Sequence, residues 1–81
     1  IANEVEKAIH ENDIAMIRAR LHELRPNLHN MGMEKAMGYL ENFRAHIIDD
    51  QMVGNAPNIG LNMVKEMRTA IQEMVQYLQN F

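Results

Sequence analysis

One stretch of the chain carries side chains whose types and spacing suit anion chemistry: Arg18, His22, Arg25 and His29, with Pro26 among them. Arg18, Arg25, Pro26 and His29 stand four, three, four and seven residues from His22. On a helix these offsets put them all on one face. Histidine is the side chain whose ordinary titration falls near neutrality, so a neutral, nucleophilic ring is present at pH 7 without special activation. Arginine suits a phosphoryl group because its planar fork donates two parallel hydrogen bonds to oxyanions. The chemistry on offer is capture of a phosphoryl group on a half-exposed imidazole between two guanidinium groups. Pro26 adds a local effect. It removes the N–H that would bond the His22 carbonyl, at a cost of about 3 kcal/mol inside a helix. The preceding turn is expected to bend, leaving the imidazole free of bulky neighbours on that side.

The elements that must position these residues read as helices. Nothing alternates with period two for long enough to suggest a strand. Asn3 with Glu6 reads as a capping box opening a first helix over about 3–11, with Val5 and Ile9 apolar. Asn12 or Asp13 caps a second over 13–31, whose stripe is Ile14, Ile17, Leu21, Leu24, Leu28 and Met31. His22 lies about 100° around from Leu21, at the edge of that stripe. Gly32 supplies a left-handed stop. A third helix over 33–51 follows at once, with Met33, Ala36, Met37, Leu40, Phe43 and Ile47, and so short a link makes the pair antiparallel. Met52 to Gly60 reads as a loop, with Pro57 and with Asn58 as the next cap. The last helix, 59–80, presents Val64, Met67, Ile71, Met74, Leu78 and Phe81 at heptad-like spacing. The expected fold is all-α: a single domain over 1–81, built as an antiparallel four-helix bundle.

Bulk properties narrow the function classes. Eighty-one residues bury only about 60% of the extended surface, enough for one core and no separate substrate domain. Eight basic against eleven acidic side chains give a formal charge of −3, which argues against a nucleic-acid binder. With no cysteine there is neither a disulfide framework nor a thiolate metal site. His22 and His29 are two turns apart, too far to chelate one ion easily, and His10 and His46 have no partner at ligand spacing, so no metal is expected. His10, His29 and His46 otherwise read as surface or boundary residues, and Glu41, Asp49, Asp50, Lys65 and Arg68 as solvated charges. The eight methionines read as adaptable core. No apolar run approaches the roughly 18 residues that span a bilayer, so no membrane contact is expected. The chain begins with Ile1, as a piece of a longer protein would.

The string Leu21-His22-Glu23-Leu24-Arg25-Pro26, with Gly32 ten residues after the histidine, resembles the histidine-containing phosphotransfer (HPt) domain family. The resemblance runs from about Val5 to Phe43. It implies a four-helix bundle with the histidine on the second helix, acting as a cytoplasmic phosphorelay carrier in two-component signalling. His22 would accept a phosphoryl group from a receiver-domain aspartate and pass it to another receiver. The chain would thus be a phosphotransfer intermediate rather than a stand-alone kinase, and a segment such as a hybrid sensor kinase contains. Arg25 matches the family's basic position and would steady the added charge. Gly32 would turn the chain into the third helix. No cofactor is implied, since Mg²⁺ would come with the receiver. Two departures stand out. Pro26 replaces the commonest glycine, and Arg44 stands where many members have a glutamine or glutamate near the histidine. Arg44 can donate to a phosphoryl oxygen but cannot accept from the imidazole.

His22-Glu23-Leu24-Arg25 also resembles the phospho-acceptor box of sensor histidine kinases, whose dimerisation domain is a two-helix hairpin paired across a dimer. There Pro26 falls one position early. A third expectation, without chemistry, is a helical scaffold that docks receivers.

Overall fold

The computed structural model describes residues 2–80. Four helices, α1 (Ala2–Glu11), α2 (Ile14–Asn30), α3 (Glu34–Ala45) and α4 (Ala56–Gln79), are joined by tight turns and one small hairpin, β1 (Ile47–Ile48) and β2 (Gln51–Met52). The helices pack as a ring in which α1 meets α2 and α4, and α3 meets α2 and α4. Their facing stripes meet in one core of Val5, Ile9, Ile17, Leu21, Leu24, Leu28, Leu40, Phe43, Met63, Val64 and neighbouring small residues. The helical bundle expected from the hydrophobic period is therefore present.

The turns follow local rules. Asp13 is the α2 N-cap, accepting from Met16 N at 3.2 Å, while Asn12 takes the left-handed conformation (φ 55°) that closes α1. At the other end of α2, Gly32 has φ 69°. Gly32 N–H donates to His29 O at 3.1 Å and Met33 N–H to Leu28 O at 3.0 Å. That is the Schellman pair of bonds, and it satisfies two of the four carbonyls a helix end leaves open. α2 continues through Pro26 to Asn30.

Several boundaries differ from the sequence expectation. α1 begins at Ala2, so Asn3 is inside the helix and does not cap it; its Oδ1 accepts instead from Arg68 on α4 at 2.6 Å. α3 ends at Ala45 rather than near residue 51, because 47–52 form an antiparallel hairpin with Ile47 opposite Met52 and Ile48 opposite Gln51. Asp49 and Asp50 both have positive φ (52° and 59°), the pattern of a type I′ two-residue turn. α4 starts at Ala56, with Asn55 rather than Asn58 at the cap position and Pro57 in its first turn. Gly60 is therefore not a loop residue. It is buried in α4, where an added Cβ would lie 2.7 Å from both Ile9 Cδ1 and Phe43 Cε2. Only a residue without a side chain lets α4 approach α1 and α3 this closely.

The expected α4 stripe is only half covered. Val64 and Met67 are buried, but Ile71, Met74 and Leu78 are exposed, because α4, at 24 residues, outruns the other helices. Phe81 lies outside the described residues. Met31, placed in the α2 stripe, is likewise exposed, one residue past the helix end. Exposed polar ties also join the helices: Arg68, solvated as read, places Nη1 2.6 Å from Glu6 Oε2. Arg20 Nη1 lies 2.7 Å from Glu23 Oε1, and Arg20 Nε lies 2.6 Å from Glu4 Oε2. That Nε makes no directed hydrogen bond, so its contact with Glu4 is ionic. Glu23, by hydrogen bond and charge, and then Glu4 hold the Arg20 guanidinium above its already high ordinary pKa.

Candidate functional site

Burying Ile17, Leu21, Leu24 and Leu28 fixes how α2 is rotated, and that rotation leaves His22 on the outside. The imidazole is exposed and neither ring nitrogen has a hydrogen-bond partner among the described residues. Beside it is a surface cleft of about 340 Å³ lined by Arg18, Leu21, His22, Arg25, Leu40, Arg44 and Ile47. α2 gives two of its arginines from the turns on either side of His22. α3 gives Leu40 and, one turn later, Arg44. Ile47 of β1 closes the end, so the hairpin that the sequence did not announce is part of the wall.

The cleft is a local concentration of positive charge on a chain of formal charge −3. Two of its arginines are engaged. Arg25 Nε lies 3.1 Å from Glu41 Oε1, across from α2 to α3, and Arg18 Nη2 lies 3.2 Å from Asp50 Oδ1 in the hairpin turn. Both pairs are solvent-exposed, with side-chain accessibilities of 56% and 47% for the first and 52% and 84% for the second. Pairs of that kind contribute roughly 0–1 kcal/mol and exchange readily. Arg44, also exposed, makes no ion pair or hydrogen bond among the described residues. A tetrahedral oxyanion entering the cleft would meet one unengaged guanidinium and two held by weak, replaceable contacts.

Of the residues singled out from sequence, the cleft unites His22, Arg25, Arg44 and Arg18. Pro26 and His29 are exposed on α2 and do not line it, and Gly32 is at the far end of the helix in the turn to α3. Glu41 and Asp50 are solvated, as read, and each also pairs with a cleft arginine. Glu41 lies on α3, between Leu40 and Arg44, and no periodicity signals its reach to α2. Asp50 is brought to Arg18 by the hairpin turn, which neither alternation nor an asparagine-glycine pair signals. His46 Nδ1–H donates to Asn42 O at 2.8 Å, so its ring is tied to the last turn of α3. Among the described residues, no group of three or more His, Asp or Glu is arranged to hold a metal ion. No helix among them is long and apolar enough to cross a membrane. Comparison with family models found no match, and neither did comparison with curated proteins or with solved structures.

Proposed function

We propose that the chain is a phosphorelay carrier of the HPt type, with His22 as phospho-acceptor. The observation that carries this reading is the unbonded, exposed imidazole in a cleft that also presents Arg18, Arg25 and Arg44. In the proposed reaction a receiver domain docks against α2 and α3 and presents an aspartyl phosphate. Nε2 of His22 attacks phosphorus in line. The N–P bond forms as the acyl O–P bond breaks, the receiver carboxylate leaves with that electron pair, and Nδ1 keeps its proton. Reversal onto a second receiver returns the ring to its starting state.

The chain's contribution is positioning and electrostatics. Arg44 and Arg25 donate to the equatorial oxygens, and charge-assisted hydrogen bonds of that kind are worth about 1.5–3 kcal/mol each. Leu40 and Ile47 give the cleft an apolar wall that limits water at the N–P bond. Any divalent cation in this reaction belongs to the receiver.

Two features favour the carrier over a kinase phospho-acceptor hairpin: α2 stops at Asn30, and the ring of four helices closes within one chain. The test is incubation with a phosphorylated receiver. Transfer of label to an acid-labile, base-stable adduct that the His22→Gln chain does not form supports the carrier. A stable complex without transfer overturns it in favour of a docking scaffold.

A further inference from the structure

The carboxylates at the cleft mouth have no part in the transfer as just described, yet each pairs with an arginine of the cleft, Asp50 with Arg18 and Glu41 with Arg25. Glu41 is the sharper case. It sits on α3 and holds Arg25, three residues from His22, through the guanidinium Nε at 3.1 Å. The contact is ionic, so Glu41 balances the Arg25 charge in the unmodified chain. Arg44, four residues before Ile48 and one turn after Leu40, has no carboxylate partner among the described residues.

We propose that Glu41 is an internal competitor for Arg25, so that phosphorylation of His22 exchanges the Arg25–Glu41 pair for an Arg25–phosphoryl pair and frees the Glu41 carboxylate on α3. This rests on His22 being the acceptor. In the exchange no covalent bond beyond N–P is made. Arg25 changes its ionic partner from Glu41 to the phosphoryl oxygens, and Arg44, without a carboxylate partner among the described residues, faces the phosphoryl group from the start. Two consequences follow. Glu41 slows acceptance, because the pair must open before Arg25 can help. It also marks the loaded state, because α3 then shows a partner an unpaired negative charge beside the phosphoryl group. A receiver that has just donated meets added repulsion there, which favours its departure.

The proposal is tested with phosphoramidate as donor and four chains: wild type, Glu41→Gln, Arg25→Ala and the double variant. In this reaction the N–P bond of the ammonio form breaks with release of ammonia as Nε2–P forms. Both side chains are exposed, and circular dichroism checks that each variant folds. Relief of a surface ion pair predicts that Glu41→Gln takes up phosphoryl about two- to fivefold faster than wild type. In the Arg25→Ala background the same change has no effect. The Arg25 Nε–Hε resonance of the wild type shifts on phosphorylation. An equal acceleration with and without Arg25 would mean that Glu41 acts by direct repulsion, and it overturns the exchange. So does an Arg25 resonance that stays put while His22 becomes phosphorylated. Failure of every chain to form an adduct at His22 removes the underlying reading as well, and is distinguishable from both.

Discussion

Replacing Gly60 and Gly38 by alanine should move stability in opposite directions. Both glycines are inside helices, Gly38 in α3 and Gly60 in α4. In either place alanine gains about 0.5–1 kcal/mol from backbone entropy alone. At Gly38 nothing lies within 4 Å of the new Cβ, so that gain stands unopposed. At Gly60 the Cβ would meet Ile9 Cδ1 at 2.7 Å and Phe43 Cε2 and Cζ at 2.7 and 2.8 Å. The Ile9 methyl can rotate away. The Phe43 ring, with 0% exposure, has no space to retreat into. Overpacking of this kind costs about 1–3 kcal/mol, which outweighs the entropic gain and leaves a net loss of about 1–2 kcal/mol. For a domain this small that lowers Tm by about 5–15 °C, whereas Gly38→Ala raises it by a few degrees. Urea and thermal unfolding followed by circular dichroism read both. If Gly60→Ala is as stable as wild type, the helices do not meet at the distance described, and the packing account of α4 is wrong.

Three further outcomes follow from the same structure. Asp13→Ala should lose about 1 kcal/mol by removing the α2 cap, while Asp13→Asn stays near wild type, as chemical denaturation would show. Leu40→Ala should cost about 2–5 kcal/mol, but Leu78→Ser, on the exposed part of α4, should stay within about 0.5 kcal/mol of wild type in the same assay. Arg25→Ala should slow transfer from a phosphorylated receiver by about tenfold or more, the loss of one charge-assisted hydrogen bond, with receiver affinity measured by titration little changed.

The parts of this fold that could be read from sequence are those set by local chemistry. The stripe on α2 has three- and four-residue spacing, and it alone predicts that Leu21 is buried and His22 is not. Gly32 was legible because a helix end needs one residue at positive φ. The hairpin was not, since strands of two residues leave no room for alternation, and its turn uses Asp-Asp where asparagine-glycine is the usual signal. Gly60 looked like a loop residue because its reason for being glycine is the Phe43 ring, which is remote in sequence. The seam of α4 runs on through Ile71, Met74 and Leu78 because periodicity reports amphipathicity and not whether a neighbour is there to cover it. At the cleft, the α2 members share a helix face and were visible together. Arg44 and Glu41 joined them only through the packing of α3 on α2, which decides what each arginine holds.

The central claim concerns one ring among four histidines. The direct measurement is site-resolved phosphorylation by a receiver aspartyl phosphate, with the adduct located by fragmentation mass spectrometry under alkaline conditions. The account predicts an adduct at His22 and none at His10, His29 or His46, since only His22 stands in the arginine-lined cleft. Label on another histidine, or none on His22 while a receiver is bound, would contradict it.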